Sequence, residues 1–84
     1  MNIDNSTCLK GFGDFVKEGR ERLGLYQSDV ARMLNISQPY YSCIEKGTRN
    51  VDLVLALKIC DTLKLDLSDY ISIYSAQNKN PTSL

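Results

Sequence analysis

Apolar residues recur at spacings of three and four positions in five stretches of the chain, and this spacing predicts amphipathic helices. The first three predicted helices cover residues 12–23, 27–34 and 37–46. A fourth is expected from a cap at Asn50 to about Leu63, and a short fifth begins at Asp66. Strand signals are weak throughout. The expected fold class is therefore all-α, with five helices around one core.

Residues suited to helix ends separate these stretches. Gly24, Asn35 and Gly47 are of the types that adopt the left-handed conformation following the last turn of a helix. Ser37 and Asn50 are suited to cap the first turns of the third and fourth helices, because their side chains accept hydrogen bonds from free N–H groups. The helices are therefore predicted to be short and joined by tight turns.

The last two predicted helices carry more apolar surface than one face can bury. The inward stripe of the fourth is expected to consist of five residues: Leu53, Ala56, Leu57, Cys60 and Leu63. Val54, Leu55 and Ile59 fall partly outside that stripe. In the fifth helix the surplus comprises Tyr70, Ile71, Ile73 and Tyr74. Small domains often bury such a surplus in a symmetric dimer, which is the interpretation we favour over cover by a chain end.

Composition and length describe a single small domain. The chain has 84 residues, 43% of them hydrophobic, which suits one modest core and no more. Residues 1–10 are polar and predicted to form a flexible arm, residues 11–76 the domain, and residues 77–84 a polar tail. The start does not resemble a signal peptide, and no long apolar run follows, so a cytoplasmic protein without a membrane partner is expected.

The charge distribution changes the first impression of a neutral protein. The formal net charge is zero, which by itself argues against nucleic-acid binding. Residues 15–49, however, hold six basic side chains against four acidic ones, whereas the flanking segments are slightly acidic. A positive excess in the middle of the chain is compatible with a surface that contacts phosphates.

The residue types that support catalysis or metal binding are scarce. There is no histidine, and Cys8, Cys43 and Cys60 are widely spaced without a CxxC pair, so a zinc site or a disulfide framework is not expected. No glycine-rich phosphate loop or paired carboxylates are evident either. We expect no enzyme activity, no cofactor and no small-molecule substrate.

The second and third predicted helices together meet the requirements of a helix-turn-helix. Ala31 provides a small residue where the two backbones touch, and Asn35 provides the left-handed turn. Apolar residues join the pair to the core. The outer face of the third helix is short-chained and polar, as needed to enter a groove about 12 Å wide, and consists of Gln38, Pro39, Ser42 and Cys43.

Residues 12–71 resemble the Cro and lambda-repressor class of helix-turn-helix proteins. The resemblance is carried by Arg20, by LGLYQSDVA and NISQPYYSCIEKG, by Arg49, and by LALKICDTLKLDL. It implies a transcriptional regulator, expected to be a repressor, that binds double-stranded DNA as a homodimer on a near-palindromic operator with its third helix as the recognition helix. The alternative is an interaction module, such as an antitoxin or adaptor with the same fold.

Several residues are assigned to base contacts on this basis. The amide of Gln38 suits the major-groove edge of adenine, and Pro39 and Cys43 offer apolar surface to a thymine methyl group. Tyr40 points outward, and we leave open whether it contacts DNA or packs on its neighbours. Phosphate contacts, which give affinity without sequence information, are expected from five residues: Gln27, Ser37, Ser42, Lys46 and Arg49.

The resemblance further implies a structural ion pair between Arg20 and Glu45, joining the first helix to the end of the third. Such a pair would hold the recognition helix at its docking angle, and breaking it when partly buried costs about 3–5 kcal/mol. The chain also departs from the usual family pattern at Gly19, at Tyr26 and at Lys64. Gly19 replaces a larger apolar residue, Tyr26 a Ser or Thr cap, and Lys64 a glycine.

Overall fold

Five helices follow one another in the computed structural model, which describes the backbone of residues 5–77 and the side chains of residues 8–75. They are α1 (Asn5–Arg22), α2 (Gln27–Leu34), α3 (Gln38–Lys46), α4 (Leu53–Thr62) and α5 (Leu67–Gln77). Residues 5–77 contain no strand. The prediction of an all-α fold with five helices is confirmed.

One core gathers side chains from all five helices and from the residue that ends α4. Its largest fully buried members are Tyr41, Ile44, Ile59, Leu63, Val16 and Val30. Helix α3 packs between α1 and α2, while α5 packs against α4 and against α1, where Tyr70 contacts Cys8 and Phe12. Burying these side chains supplies the main stabilising free energy of so small a domain.

Helix α1 begins at Asn5, seven residues earlier than the amphipathic pattern predicts. Residues 5–10, assigned above to a flexible arm, are therefore helical, which is a correction. The cause is tertiary: the backbone of Lys10 lies against Gly47, and the Cys8 carbonyl oxygen accepts a hydrogen bond from the Tyr70 hydroxyl at 2.6 Å. At the other end, α5 includes Gln77, and residues 1–4 and 78–84 of the predicted arm and tail lie outside the described residues.

The predicted turns between the helices are confirmed. Gly24, Asn35 and Gly47 all have positive φ, at 71°, 58° and 75°. Lys64 is a fourth left-handed residue, with φ 59°, although its position suits glycine better. It follows Leu63, the C-cap of α4, so at this position a lysine adopts the left-handed conformation that glycine adopts more easily.

The helix starts are confirmed in one case and corrected in another. The Ser37 hydroxyl oxygen accepts a hydrogen bond from the Tyr40 N–H at 3.2 Å, as a capping side chain does. Helix α4 is capped by Asp52, whose carboxylate accepts from the Leu55 N–H at 2.8 Å. The predicted cap at Asn50 is therefore wrong, because the helix starts two residues later than that cap requires.

The buried stripe of α4 also differs from the prediction. Leu53 and Leu57 were expected inside but are 67% and 49% exposed, whereas Ile59 is fully buried. Only the second half of α4 reaches the centre of the core, through Ile59 and Cys60. The buried face of the helix therefore differs from the predicted stripe. The first turn of α4 consequently presents apolar side chains to the outside.

Tyr70 is part of the core and is only 7% exposed. Its ring lies edge-on to Phe12, with the ring centroids 5.5 Å apart, and also contacts Phe15. Its assignment to a dimer interface is therefore corrected, since the chain itself covers the side chain. Ile71 and Ile73 remain exposed, and Tyr74 is partly buried.

Two glycines allow α1 to lie close to its neighbours. A Cβ at Gly13 would collide with the backbone carbonyl oxygens of Glu45 and Ile44, so only glycine permits this approach to α3. A Cβ at Gly19 would meet the side chain of Leu65 at 2.8 Å. Leu65 thus fills the space that a larger residue at position 19 would take, which explains the departure from the family pattern there.

No helix within residues 5–77 has both the length and the apolar content that crossing a membrane requires.

Candidate nucleic-acid interface

A tight left-handed turn at Asn35 connects α2 and α3. The Ile36 N–H donates to the Ala31 carbonyl oxygen at 3.0 Å, which closes the last turn of α2 and reverses the chain direction. Val30 and Ala31 are buried on α2. The small side chain of Ala31 lies in the core beside this turn, as the helix-turn-helix interpretation requires.

Helix α3 has two contrasting faces. Tyr41 and Ile44 are almost completely buried and fix the helix to the core. On the other side Gln38 and Pro39 are exposed at the first turn, and Ser42 and Cys43 are partly exposed one turn later. The predicted reading face is therefore accessible, short-chained and polar at its N-terminal end.

Tyr40 lies between these two faces and packs against the loop after α3. The Arg49 guanidinium carbon lies 5.4 Å from the centre of the Tyr40 ring, which is cation–π geometry. The Tyr40 hydroxyl also donates to the Asn50 carbonyl oxygen at 3.4 Å. Tyr40 therefore packs on its neighbours and orients Arg49, and a contact of Tyr40 with DNA stays a prediction.

Arg20 and Glu45 meet in the ion pair that the resemblance implies. Arg20 Nε lies 2.6 Å from Glu45 Oε2 and Nη2 lies 3.1 Å from Oε1, so the contact is bidentate. The two side chains are 11% and 3% exposed. Arg20 Nη1 also donates to the Leu25 carbonyl oxygen at 2.8 Å. One side chain of α1 therefore joins the end of α3 to the loop before α2.

Gln27 extends this network to the first residue of α2. Its side-chain amide donates to Glu45 Oε1 at 3.0 Å. Burial alone would raise the pKa of Glu45, but the Arg20 guanidinium and then the polar groups of Tyr41 and Gln27 outweigh it, and the pKa lies below its ordinary value. Glu45 is therefore held as a buried carboxylate that links three helices.

The hydroxyl of Tyr41 is buried beside this network without a hydrogen-bonding partner among the described residues. Burial, and then the proximity of the Glu45 carboxylate, raise the pKa of Tyr41 above its ordinary value. This hydroxyl therefore stays protonated and adds no charge to the site.

The remaining predicted phosphate-contact residues surround α3. Ser37, Lys46 and Arg49 are exposed, whereas Gln27 and Ser42 are partly buried. The Ser37 hydroxyl caps α3, and the Gln27 side chain binds Glu45, so each also has a structural role within the chain.

Two lysines on α1 that the sequence interpretation did not single out lie near this surface. Lys10 and Lys17 line an open cavity of about 270 Å³ together with Asp14, Gln27, Glu45 and Lys46. Their seven-residue spacing puts them on one face of a helix, but only the early start of α1 at Asn5 places Lys10 within that helix.

The geometry defines a class of protein: a helix-turn-helix whose second helix is fixed by buried contacts and has an accessible polar face. A family model described as helix-turn-helix matches residues 16–70. The chain is 40% identical over 62 residues to control protein C.MunI of Mycoplasma sp., a match that covers 73% of this chain and 84% of that protein.

Two further relatives come from Bacillus subtilis (strain 168). The uncharacterised HTH-type transcriptional regulators YqaF and YgzD are each 35% identical to the chain. The matches cover 62% of this chain and 68% of YqaF, and 64% of this chain and 82% of YgzD. The chain belongs to the helix-turn-helix family of the Cro/C1 type and is a DNA-binding transcription regulator.

Proposed function

We propose that the protein regulates transcription by placing the N-terminal half of α3 in the major groove of a specific DNA operator. The observation that carries this proposal is the contrast between the two faces of α3. Tyr41, Ile44 and Glu45 are buried and hold the helix rigidly, while Gln38 and Pro39 are exposed at its start. A rigid helix with an accessible polar end can align side chains with base edges.

Base recognition is assigned to the exposed side of α3. The Gln38 amide both donates and accepts hydrogen bonds, which suits the N6 and N7 atoms of adenine. Pro39 and Cys43 offer apolar contact to a thymine methyl group, with Pro39 the more exposed of the two. Tyr40 contributes at the edge of this surface, mainly by supporting Arg49.

Phosphate contacts are assigned to the residues that flank the reading face. Gln27 stands at the start of α2, where free N–H groups and the helix dipole favour an anion. Ser37 caps α3, Ser42 and Lys46 lie on that helix, and Arg49 is exposed in the following loop. Contacts of this kind position the protein on the duplex and make its affinity depend on salt.

Two copies are proposed to bind a near-palindromic site. Ile71 and Ile73 on α5 are 57% and 46% exposed, and partly buried Tyr74 completes the proposed contact surface. A two-fold dimer would bury this apolar area and place two α3 helices about one helical turn of DNA apart. Occupation of such an operator would exclude other proteins from the same groove, so repression is the proposed outcome.

The test is selection of binding sites from random duplex DNA, performed with the wild-type protein and with Gln38→Ala. We expect the wild type to enrich an inverted repeat, and the variant to lose preference at one position of each half-site. Ser72→Ala, an exposed change on α5, serves as the control and should retain the wild-type preference. Failure of the wild type to enrich any sequence at low salt would contradict the proposal.

A further inference from the structure

The cavity between α1, α2 and α3 combines positive charge with two residues already assigned to phosphates. Its lining includes Lys10 and Lys17 of α1 beside Gln27 and Lys46. The start of α2 therefore opens towards the same space as the two α1 lysines.

The close packing of α1 on α3 brings these side chains together. Gly13 allows α1 to touch the backbone at Ile44 and Glu45, and the Lys10 backbone lies against Gly47. Lys10 and Lys17 are separated by seven residues, which corresponds to about 10 Å along a helix. This distance is similar to the axial rise of about three nucleotides in one DNA strand, so the two lysines can contact different phosphates.

The lysines of this cavity are largely uncompensated by carboxylates. Lys17 and Lys46 form no ion pair with a described residue. Lys10 Nζ lies 2.8 Å from Asp14 Oδ1, but both side chains are about 60% exposed. An exposed ion pair of this kind contributes little free energy and is screened by salt. Glu45 is already bound by Arg20 and Gln27 and is therefore unable to neutralise the lysines.

We propose that Lys10 and Lys17 bind backbone phosphates of duplex DNA next to those contacted by Gln27 and Lys46, so that α1 extends the footprint of the protein. The inference rests on the proposed function, since it requires DNA to approach the start of α2. The two lysines contribute affinity alone, because phosphates carry no direct sequence information. They also account for DNA binding by a protein with no net charge, since its positive groups are concentrated where the duplex lies.

The experiment measures the affinity for the selected operator as a function of salt for Lys10→Gln, Lys17→Gln and the double variant. Each lost phosphate contact should reduce the slope of log K against log salt by about 0.9, equivalent to about eightfold in affinity over one decade of salt. The order of preference among operator sequences should remain that of the wild type. Thermal unfolding of each variant checks that the fold is retained.

The matched control is Lys64→Asn, which also removes one lysine but lies in the groove between α1 and α5. Asparagine tolerates the left-handed backbone at this position, where φ is 59°. We expect this variant to keep the wild-type slope. Asp14→Asn should tighten binding slightly, because it removes the carboxylate that competes for Lys10.

A second arm uses DNA shortened at the outer ends of the operator. If the lysines contact flanking phosphates, the shortened duplex should bind the wild type and the double variant with the same affinity. The inference is overturned, and the proposed function left intact, if the wild type shows salt-dependent binding but the Lys10 and Lys17 variants have the same salt slope as Lys64→Asn. Absence of salt-dependent binding by the wild type would overturn both.

Discussion

The α2–α3 unit and the α4–α5 pair differ in how completely each is covered within the chain. In α3 the inward residues are buried, including Glu45, whose carboxylate forms an ion pair with Arg20 and accepts a hydrogen bond from Gln27. Helices α2 and α3 leave one large apolar side chain exposed, that of Met33, whereas α4 and α5 leave five: Leu53, Val54, Leu57, Ile71 and Ile73. The orientation of α3 is therefore set by contacts within the domain, whereas the outer faces of α4 and α5 suit contacts outside it.

The kinds of contact differ as well. Around α3 they are directional, because a bidentate guanidinium–carboxylate pair and two backbone approaches at Gly13 and Gly47 each allow one geometry. Around α5 they are aromatic, with the Tyr70 ring among Phe12, Phe15 and Tyr74 at centroid distances of 5.5–6.0 Å. Aromatic packing tolerates more variation than a bidentate pair, so changes near α3 should be the more costly.

The largest effect is expected from Arg20→Ala. The substitution leaves the buried Glu45 carboxylate without its cation, and the free energy of unfolding should fall by about 3–5 kcal/mol. Chemical denaturation measures this loss. The control is Arg22→Ala, which removes an exposed pair with Glu18 and should cost about 0.5 kcal/mol or less. Equal losses in the two variants would show that the ion pair does not hold α3.

A smaller effect is expected where α1 touches α3. Gly13→Ala introduces a Cβ only 2.6 Å from the Ile44 carbonyl oxygen, and should destabilise the protein by about 1–3 kcal/mol. Gly11→Ala is the matched change facing α5, where the nearest atom is the Tyr70 hydroxyl oxygen at 3.1 Å. There the helix propensity of alanine, about 1 kcal/mol over glycine, should offset the crowding.

Thermal unfolding of the two glycine variants compares the regions directly. A greater loss in Gly11→Ala than in Gly13→Ala would reverse the comparison and identify the α1–α5 contact as the more restrictive one.

The smallest effect on folding is expected from Ile71→Lys on α5. The side chain is 57% exposed, so the stability of a single chain should change by about 0.5 kcal/mol or less. If α5 forms the dimer interface, however, the charged side chain should shift the protein towards monomers in light scattering at micromolar concentration. Met33→Lys adds the same charge at an apolar side chain that is 58% exposed on α2, away from α5, and is the control. A wild-type protein that is monomeric under these conditions would contradict the proposed interface.

The sequence was most informative where a residue type has a local backbone consequence. Positive φ at Asn35 and Gly47, the Ser37 cap and the break between α2 and α3 follow from the properties of those residues in their immediate context. The inward position of Tyr41 and Ile44 follows equally from the helical period, because α3 is short and packed along its whole length. These local features were sufficient to locate the exposed end of α3.

The predictions from sequence were wrong where contacts between distant parts of the chain determine the local structure. The start of α1 depends on Gly47 and Tyr70 lying against residues 8–10, and α4 starts late enough for Asp52 to cap it in place of the predicted Asn50. Tyr70 and its exposed neighbour Ile71 both fall in the apolar surplus of the helical pattern, so the pattern does not separate them. Only the packing of Phe12 and Phe15 around its ring shows which of the two is buried.

By itself, the sequence determined the number of helices, the left-handed turns that follow α1, α2 and α3, and the face of α3 that points outward, because each depends on interactions within a few residues. Tertiary structure alone decided that α1 begins at Asn5, that Gly13 lies against α3, and that Lys10 and Lys17 line one cavity with Gln27 and Lys46. Helical periodicity specifies a face but not the neighbour that this face meets. That neighbour is chosen by the close packing of the whole core.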